Sequence, residues 1–437
     1  MEIPAPLPNK TFSSYDKLVV FILAITQFTV ILDFMVMSPL GDLLVKSLDI
    51  KTSEFGIVVS AYAFSAGISG FLTAGFADKY DRKKLLLFFY SGFIIGTLLC
   101  GIANSYQTLV TARIVTGLFG GVMGSISMAI VTDLFPLGKR GRVMSFVQMG
   151  SGASKVMGIP IGLYIANRMG WEAPFLFIGG MAIVIMVIIA ICLKPVDQHL
   201  NEKRNRSSIK HLIHTLKSKH YRRGFLTISF LTIGGFMMMP YGTIYAVNNL
   251  NVDADQLPFL FMASGAGSLL LMPFVGRLSD KVSKFKMFAY GSLWFVLICI
   301  TYTNLPPVPF SIVLILNIFL MMGIVNRMVP SAALISTLPE KEDRGAFMSI
   351  QSSIQQIAGG IAATFAGLIV YQQNPTSPLE QYDKIGYIVS ATALISIVLM
   401  ARIDRFIKKK MEGDTVPENS NNRERIFDAK SDLEKVK

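Results

Sequence analysis

The sequence predicts an all-α membrane protein whose chain crosses the bilayer many times. Only 16% of its 437 residues are charged, against about 25% in soluble proteins. Between Leu18 and Ile407 the charges come in short groups separated by apolar runs of about 20 residues, which is the helix length needed to cross a hydrocarbon core about 30 Å thick. Most soluble folds, disulfide-linked secreted folds and β-barrels are therefore excluded, and the three cysteines lie inside apolar runs.

Twelve apolar segments are predicted to be transmembrane helices, because a helix satisfies its own backbone hydrogen bonds in lipid. They cover residues 18–40, 55–76, 84–103, 107–131, 143–166, 173–193, 225–247, 257–279, 286–304, 309–334, 345–370 and 385–407. The predicted organisation is a six-helix bundle (1–193), a basic linker (194–224), a second six-helix bundle (225–410) and a disordered polar tail (411–437). No cleaved signal peptide is expected, because no basic stretch precedes a short apolar core.

The distribution of positive charge predicts the orientation in the membrane. Of the 41 Lys and Arg residues, only Lys46, Lys51, Arg168 and Lys384 fall in loops on one side of this map. Positive loops stay in the cytoplasm, so both termini are predicted to be cytoplasmic in a bacterial inner membrane. The net charge of +13 suits the anionic lipids of the inner leaflet better than nucleic acid, for which no binding module is recognisable.

The linker contains one segment with helical periodicity. Ile209, Leu212, Ile213 and Leu216 recur at the spacing of one helix face. This pattern predicts a short amphipathic helix on the inner leaflet, and a solvated basic linker is the alternative.

The two predicted halves resemble each other, which indicates an internal duplication. Three pairs of segments match in the same order and at nearly constant separation: 32–39 with 234–240, 76–79 with 278–281, and 140–145 with 344–349. A six-helix repeat keeps its orientation when copied, so the halves should be related by an axis along the membrane normal. Such pairs enclose a central cavity and are typical of transporters.

The loop after the second span, residues 74–83, is similar to the G-x-L-a-D-r-x-G-r-k motif of the major facilitator superfamily, and residues 276–284 form its second copy. The resemblance extends over all twelve spans and implies transport by alternating access. Ala74 and Asp81 replace the two glycines of the motif. Asp81 is expected to keep the turn because aspartate tolerates left-handed backbone.

Three further segments resemble motifs of the proton-coupled exporters within that superfamily. Residues 113–121 in the fourth span are similar to its R-x-x-q-G motif, and residues 158–162 resemble the glycine-proline motif of the antiporter branch. Residues 32–39 resemble the drug:proton and sugar-efflux branches. These resemblances imply an exporter.

Four ionisable side chains lie deep inside predicted spans: Asp33, Arg113, Lys155 and Arg327. Each costs about 2.5–3.5 kcal/mol at a helix centre on insertion scales, so they should face a cavity or one another. Asp33 is the only carboxylate deep in a span, and Gly235 takes its place in the second half. Asp33 is therefore the candidate for proton coupling, and a purely structural ion pair with Arg113 is the alternative.

Lys155 shares a polar stripe of the fifth span with Gln148 and Ser151. A neighbouring stripe of small residues should pack closely on another helix: Gly150, Ser154, Gly158 and Gly162. We expect Lys155 to handle substrate or protons. The alternatives are a stabilising pair with Asp33 and a lysine that extends toward the membrane surface.

The predicted substrate cavity is lined by eight residues of both halves: Asp33, Met37, Arg113, Gln148, Lys155, Met238, Asn326 and Arg327. Flexible methionines suit an adaptable apolar pocket, although they are also common in membrane helices. Three buried cations against one anion argue against a purely cationic cargo.

A conformational gate is predicted at the cytoplasmic surface, where Asp78, Arg82 and Asp133 should form an ion-pair cluster, with Asp280 as the counterpart of Asp78 in the second half. By resemblance, such a cluster locks the outward-facing state and breaks when the carrier turns inward. The alternative is that the basic residues here only set the topology.

Proton-driven efflux of a small amphiphilic, drug-like or sugar-like compound is the leading hypothesis. The alternatives are import of an organic anion or other small solute by proton symport, and a non-transporting membrane sensor or scaffold. An enzyme is not expected, because the sequence has no H-E-x-x-H motif, P-loop or Cys/His metal cluster. The expected partners are a small-molecule cargo, protons and lipids, with no cofactor or metal ion, and a monomer is the expected state.

Overall fold

The computed structural model describes residues 12–73, 77–197, 200, 208–340 and 343–414. Within these ranges the chain is helical, and the one β-type contact is an isolated bridge between Tyr371 and Glu380. The helices of the first half are α1 (Ser14–Val36), α2 (Gly41–Leu48), α3 (Thr52–Thr73), α4 (Arg82–Gly101), α5 (Tyr106–Gly120), α6 (Met123–Leu134), α7 (Leu137–Ala153), α8 (Ile159–Met169) and α9 (Ala173–Cys192). The linker helix and the second half follow as α10 (Ser208–Lys217), α11 (Lys219–Met238), α12 (Gly242–Asn248), α13 (Leu257–Lys281), α14 (Lys284–Thr303), α15 (Phe310–Ile335), α16 (Arg344–Ile369) and α17 (Tyr382–Asp414).

Ten helical segments within the described ranges are long and apolar enough to cross a membrane, and each covers one predicted span. In two of them consecutive helices are taken together, α5 with α6 and α11 with α12. The other two predicted spans, 143–166 and 345–370, are also helical. The first is α7 and α8 with the π-turn Ser154–Gly158 between them, and the second is α16. Both segments pack against the opposite half, α16 on α3 and α8 on α13, so part of their surface has protein rather than lipid as its neighbour.

The first helix of each half breaks at the equivalent place, as the duplication predicts. Helix α1 ends at Val36 and α11 ends at Met238, and after a short turn the chain continues as α2 and α12. Pro39 and Pro240 lie at these breaks, where the missing backbone N–H favours interruption of the helix. The short helices α2 and α12 then pack on each other.

The two halves are joined most tightly at one end of the bundle. We call the end where α1 begins and α10 lies the linker end, and the opposite end the far end. One apolar core at the far end includes residues of both halves, such as Phe55 and Tyr241. Asn248 Nδ2 of α12 donates a hydrogen bond to Asp42 Oδ1 of α2 over 2.6 Å. The far end is therefore closed.

At the linker end each half has its own apolar core, and Phe71 of α3 is the first-half residue that contacts the core of the second half. One face of α16 changes its surroundings between the two ends. It is exposed toward the linker end at Met348, Ser352 and Gln355, and it is buried toward the far end at Gly359, Ala362 and Ala366. Because the exposed part is largely polar, we interpret it as the wall of a hollow that opens at the linker end.

The linker forms the helix that its periodicity predicts, and α10 packs on α16. Leu212 contacts the core of the second half, whereas Ile213 and Leu216 are exposed. Helix α17 continues to Asp414, and residues 415–437 of the predicted disordered tail lie outside the described residues.

Candidate functional site

Asp33 and Arg113 form a buried ion pair inside the first half. Arg113 Nη1 of α5 donates to Asp33 Oδ2 of α1 over 2.9 Å, and both side chains are 0% exposed. Thr97 Oγ1 of α4 donates to the other carboxylate oxygen over 3.0 Å. The two deepest charges of the half therefore face each other rather than lipid, as the cost of burying a charge in a membrane requires.

The guanidinium of Arg113 is held by one ion pair and one aromatic face. Its Cζ lies 4.6 Å from the centre of the Tyr62 ring of α3, a favourable cation–π distance. Its Nε and Nη2 have no hydrogen-bond partner among the described residues. The carboxylate of Asp33 is thus the only charged group that balances Arg113 in this part of the structure.

Glycines bring the helices close enough to form this pair. A methyl group on Gly117, one turn after Arg113, would overlap the backbone of Tyr62, and one on Gly96 would overlap Thr116 of α5. The fourth-span motif therefore has a physical reason: its glycine lets α5 lie directly against α3.

Sequence reasoning missed Tyr62 and Thr97, which complete the surroundings of the ion pair. Tyr62 continues into an aromatic series, because its ring lies 4.9 Å from Phe34 and the Phe34 ring lies 6.0 Å from Phe236 of α11. The signal available was weak: each is a single polar side chain inside an apolar span. The series links the ion pair to the seam between the halves.

Lys155 does not join this pair, so the predicted alternative of a stabilising Asp33–Lys155 contact is wrong. Lys155 lies in the π-turn between α7 and α8, and its exposed side chain makes no ion pair or hydrogen bond with a described residue. It shares its face with Gln148 and Ser151, and Ser151 Oγ donates to Gln148 Oε1 over 3.4 Å. Asp33 already has Arg113 as its counter-ion.

The small residues beside Lys155 pack closely on α1, which confirms the prediction made for them. A methyl group on Gly150 would overlap the backbone of Ala24, and methyl groups on Gly158 and Gly162 would overlap Leu32 and Val36. The contacts align α7 and α8 in register with α1, and they place Lys155 about one turn nearer the linker end than Asp33.

Arg327 is buried in the second half with serine hydroxyls in place of a carboxylate. Its Nε donates to Ser292 Oγ over 3.1 Å and its Nη2 donates to Ser396 Oγ over 3.3 Å. Its Cζ lies 4.6 Å from the centre of the Phe295 ring. Asn326 is half-buried, packs against Gly291 of α14 and donates to the carbonyl of Met322.

The two predicted cavity methionines lie in the apolar core of the far end. Met37 is 0% exposed. Met238 is 8% exposed, and the Cys299 Sγ approaches its sulfur at 3.5 Å. In this conformation neither presents a free surface to a cargo, because the closure of the far end covers them.

At the linker end, Arg82 Nε of α4 and Asp133 Oδ2 of α6 form an ion pair of 3.0 Å. The side chains of Asp78 and Asp280 lie outside the described residues. The Arg82–Asp133 pair lies wholly within the first half and is intact while the far end is closed. This contact alone therefore does not distinguish the two states of a carrier.

Asp81 acts differently from the expectation of a left-handed turn. Its backbone has φ −54° and ψ 126°, which is outside the left-handed region. Its Oδ1 caps α4 by accepting from Lys83 N over 2.8 Å, and it also accepts from Val196 N over 3.0 Å. The replacement of glycine thus fastens this loop to the start of the linker.

No group of His, Cys, Asp and Glu side chains within the described ranges could hold a metal ion. The candidate site instead has three parts. Asp33 and Arg113 form a buried ion pair in the first half, and serine hydroxyls bind Arg327 in the second half. Lys155 lies at the seam between the halves, with no ion pair or hydrogen bond to a described residue.

Comparison with known proteins identifies the class. A family model described as Major Facilitator Superfamily matches residues 23–363 and 224–424, so the chain belongs to that family. It is a multi-pass membrane transporter and not an enzyme.

Curated relatives match most of the chain at low identity. A probable sugar efflux transporter of Helicobacter pylori strain G27 is 24% identical over 413 residues, covering 92% of this chain and 99% of that protein. The uncharacterized MFS-type transporter YceJ of Bacillus subtilis is 24% identical over 378 residues, covering 84% of this chain and 93% of that protein.

Solved structures share the fold. A D-xylose-proton symporter superimposes with a TM-score of 0.72 at 15% identity, covering 88% of this chain and 97% of that one. The xylose transporter XylE from E. coli, in a partially occluded inward-open conformation, gives a TM-score of 0.69 at 14% identity, covering 93% and 99%.

Proposed function

We propose that the protein exports a small amphiphilic, drug-like or sugar-like compound in exchange for protons by alternating access. In this proposal it is a monomer in a bacterial inner membrane, with twelve membrane-spanning helices in two six-helix bundles, residues 1–193 and 225–410. Both termini and the linker 194–224 face the cytoplasm, beside anionic lipids. The linker end is then the cytoplasmic end, and the structure corresponds to an inward-facing state.

The observation that carries the proposal is the ion pair of Asp33 and Arg113, buried in one half only. Proton coupling requires a titratable group that can change its charge away from bulk water, and the Asp33 carboxylate is such a group. Export is supported by the relatives named as probable sugar efflux transporters and by the antiporter-like motif at residues 158–162.

The coupling step follows from the contacts of the pair. When Asp33 binds a proton, Arg113 loses the charge that balances it, and its guanidinium remains buried without a counter-charge. Tyr62 lies on that guanidinium and contacts Phe34, which reaches Phe236 across the seam. A rearrangement of Arg113 can therefore change how the two halves pack. The proposed cargo contacts are Gln148 and Lys155, which are joined by Met37 and Met238 when the far end opens. Asn326 and Arg327 can join them only after a rearrangement, because in this conformation they pack on α14. The proposed gate comprises Asp78, Arg82, Asp133 and Asp280, and its Arg82–Asp133 contact is formed in the inward-facing state rather than broken.

The direction of transport is tested in everted membrane vesicles with an acidic interior. An exporter accumulates cargo from a panel of sugars, aryl glycosides and drugs, and collapses the pH gradient as it does so. We expect Asp33→Asn to abolish both signals while the protein still inserts. Asp404→Asn is the matched control, because Asp404 also pairs with a cation, Lys408, at 2.8 Å. Coupled flux of wild-type size in Asp33→Asn would remove Asp33 from the mechanism.

Import by proton symport is the second candidate, because a solved structure of the same fold is a D-xylose-proton symporter. A symporter accumulates cargo only when the vesicle exterior is acidic, as it is in energised right-side-out vesicles. Accumulation under that gradient, and none in everted vesicles with an acidic interior, would replace export by import.

A further inference from the structure

One cation deep in a predicted span has neither a counter-charge nor a hydrogen bond among the described residues. Of the three cations deep inside predicted spans, Arg113 pairs with Asp33, and Arg327 lacks a carboxylate but donates to two serine hydroxyls. Lys155 has neither an ion pair nor a hydrogen bond in the described part of the chain, and its side chain is exposed. An unpaired ammonium at this depth is stable only where it reaches water or a partner.

The surroundings of Lys155 direct it to the seam between the halves. Ser154, just before it, is buried on the side of the helix that packs on α1, and Val156, just after it, packs on Gly265 of α13 in the second half. The π-turn adds one residue to the helix at this point, a feature that often marks functional sites.

The two sides of this helix differ in character. Gln148 and Ser151 continue the face of Lys155 toward the linker end, whereas the opposite side exposes apolar side chains: Met149, Met157, Ile161 and Tyr164. The apolar side suits acyl chains, so the polar side faces the hollow. The polar wall of α16, with Ser352 and Gln355 exposed, also opens to that hollow.

We infer that the cargo carries an anionic group, of the carboxylate class, that pairs with the ammonium of Lys155. The cargo is therefore an acidic amphiphile, whose polar part contacts Gln148 and Ser151. This inference rests on the proposed function, because it takes the hollow beside Lys155 as the cargo site. Asp33 and Arg113 cancel each other's charge, so they do not offset the attraction of an anion to Lys155.

A matched pair of probes tests the inference without requiring transport. Phenyl β-D-glucuronide and phenyl β-D-glucoside differ only by a carboxylate in place of a hydroxymethyl group. We expect the purified wild-type protein to bind the glucuronide about tenfold more tightly or better, the range expected of one charge-assisted hydrogen bond. Binding is measured by the shift in melting temperature with increasing probe concentration.

Two substitutions of Lys155 and one control complete the design. Lys155→Gln should abolish the preference for the glucuronide, and Lys155→Arg should retain it. Lys286→Gln removes the same charge from an exposed position at the start of α14 and should leave the preference unchanged. Equal binding of the two probes to the wild type, failure of both to bind, or a preference that survives Lys155→Gln would overturn the inference.

The outcomes also separate the inference from the function on which it rests. A preference that depends on Lys155, without proton-coupled flux in vesicles, would keep the acidic-cargo site and reject the proposed exchange. Coupled export of neutral glycosides, without a preference for the glucuronide, would keep the exchange and reject the acidic cargo.

Discussion

Each half of the molecule buries one arginine against an aromatic ring, but only the first half supplies a carboxylate. Arg113 lies 4.6 Å from the Tyr62 ring centre and donates to Asp33. Arg327 lies 4.6 Å from the Phe295 ring centre and donates to serine hydroxyls. A carboxylate changes charge by binding a proton, whereas a serine hydroxyl stays neutral. Of these two arginine sites, only the one in the first half therefore includes a group that can bind and release a proton.

The difference shows how a duplicated fold can acquire separate tasks. Asp33 is fully buried, whereas Gly235, its counterpart by sequence, is exposed and has no atom within 4 Å of the place where a Cβ would lie. The helix break that follows is preserved in both halves. The two halves thus share the helix break but differ in their buried charges.

Replacing each buried arginine should give the largest change in the free energy of unfolding. Arg113→Met leaves the Asp33 carboxylate buried without its cation, which should lower the free energy of unfolding by about 3–5 kcal/mol at neutral pH. The loss should shrink at low pH, because a protonated Asp33 has no charge to balance. Arg327→Met leaves no anion behind and removes only hydrogen bonds and ring contacts, so about 1–2 kcal/mol is expected. Denaturation curves of the purified variants measure both losses.

Arg113→Lys is the control that keeps the charge, and it should retain most of the stability. Suppose that Arg113→Met and Arg327→Met lower the free energy of unfolding equally, with no dependence on pH. The ion pair would then contribute no more to stability than the hydrogen bonds of Arg327.

A smaller effect is expected from the glycines that position the two sites. Gly117→Ala places a methyl group against the Tyr62 backbone, so overpacking should lower the free energy of unfolding by about 1–3 kcal/mol. Gly235→Ala meets open space, so stability should be unchanged or rise by about 0.5–1 kcal/mol through better helix propensity. The same denaturation curves apply, and a Gly117→Ala protein as stable as Gly235→Ala would contradict the packing of α5 on α3.

Part of the site and most of the helices were predictable from the sequence. The cost of charge in lipid predicted that the deep charges face a cavity or one another, and the pair of Asp33 with Arg113 was one of the alternatives. The contact of Arg82 with Asp133 was predicted because both lie at the same membrane surface. The length of the apolar runs predicted the ten apolar spans found in the described ranges, and helical periodicity predicted α10.

Other features depend on three-dimensional packing that periodicity does not encode. A π-turn leaves no mark in a pattern of apolar residues, so the irregular helix geometry at Lys155 was not predictable. Met37 looks the same in sequence whether it lines a cavity or fills a core, and the closed far end buries it. Asp81 was expected to take a left-handed backbone, but its carboxylate could instead cap α4, a role that depends on where the linker lies.

The most direct test of the account is whether Asp33 itself takes up and releases the coupling proton. The C=O stretch of a protonated carboxylic acid can be followed by infrared difference spectroscopy on the purified transporter in lipid while the pH is varied. The account predicts a carboxyl band in the wild type that titrates with pH and is missing from Asp33→Asn but present in Asp404→Asn. An identical set of titrating bands in the wild type and Asp33→Asn would contradict it.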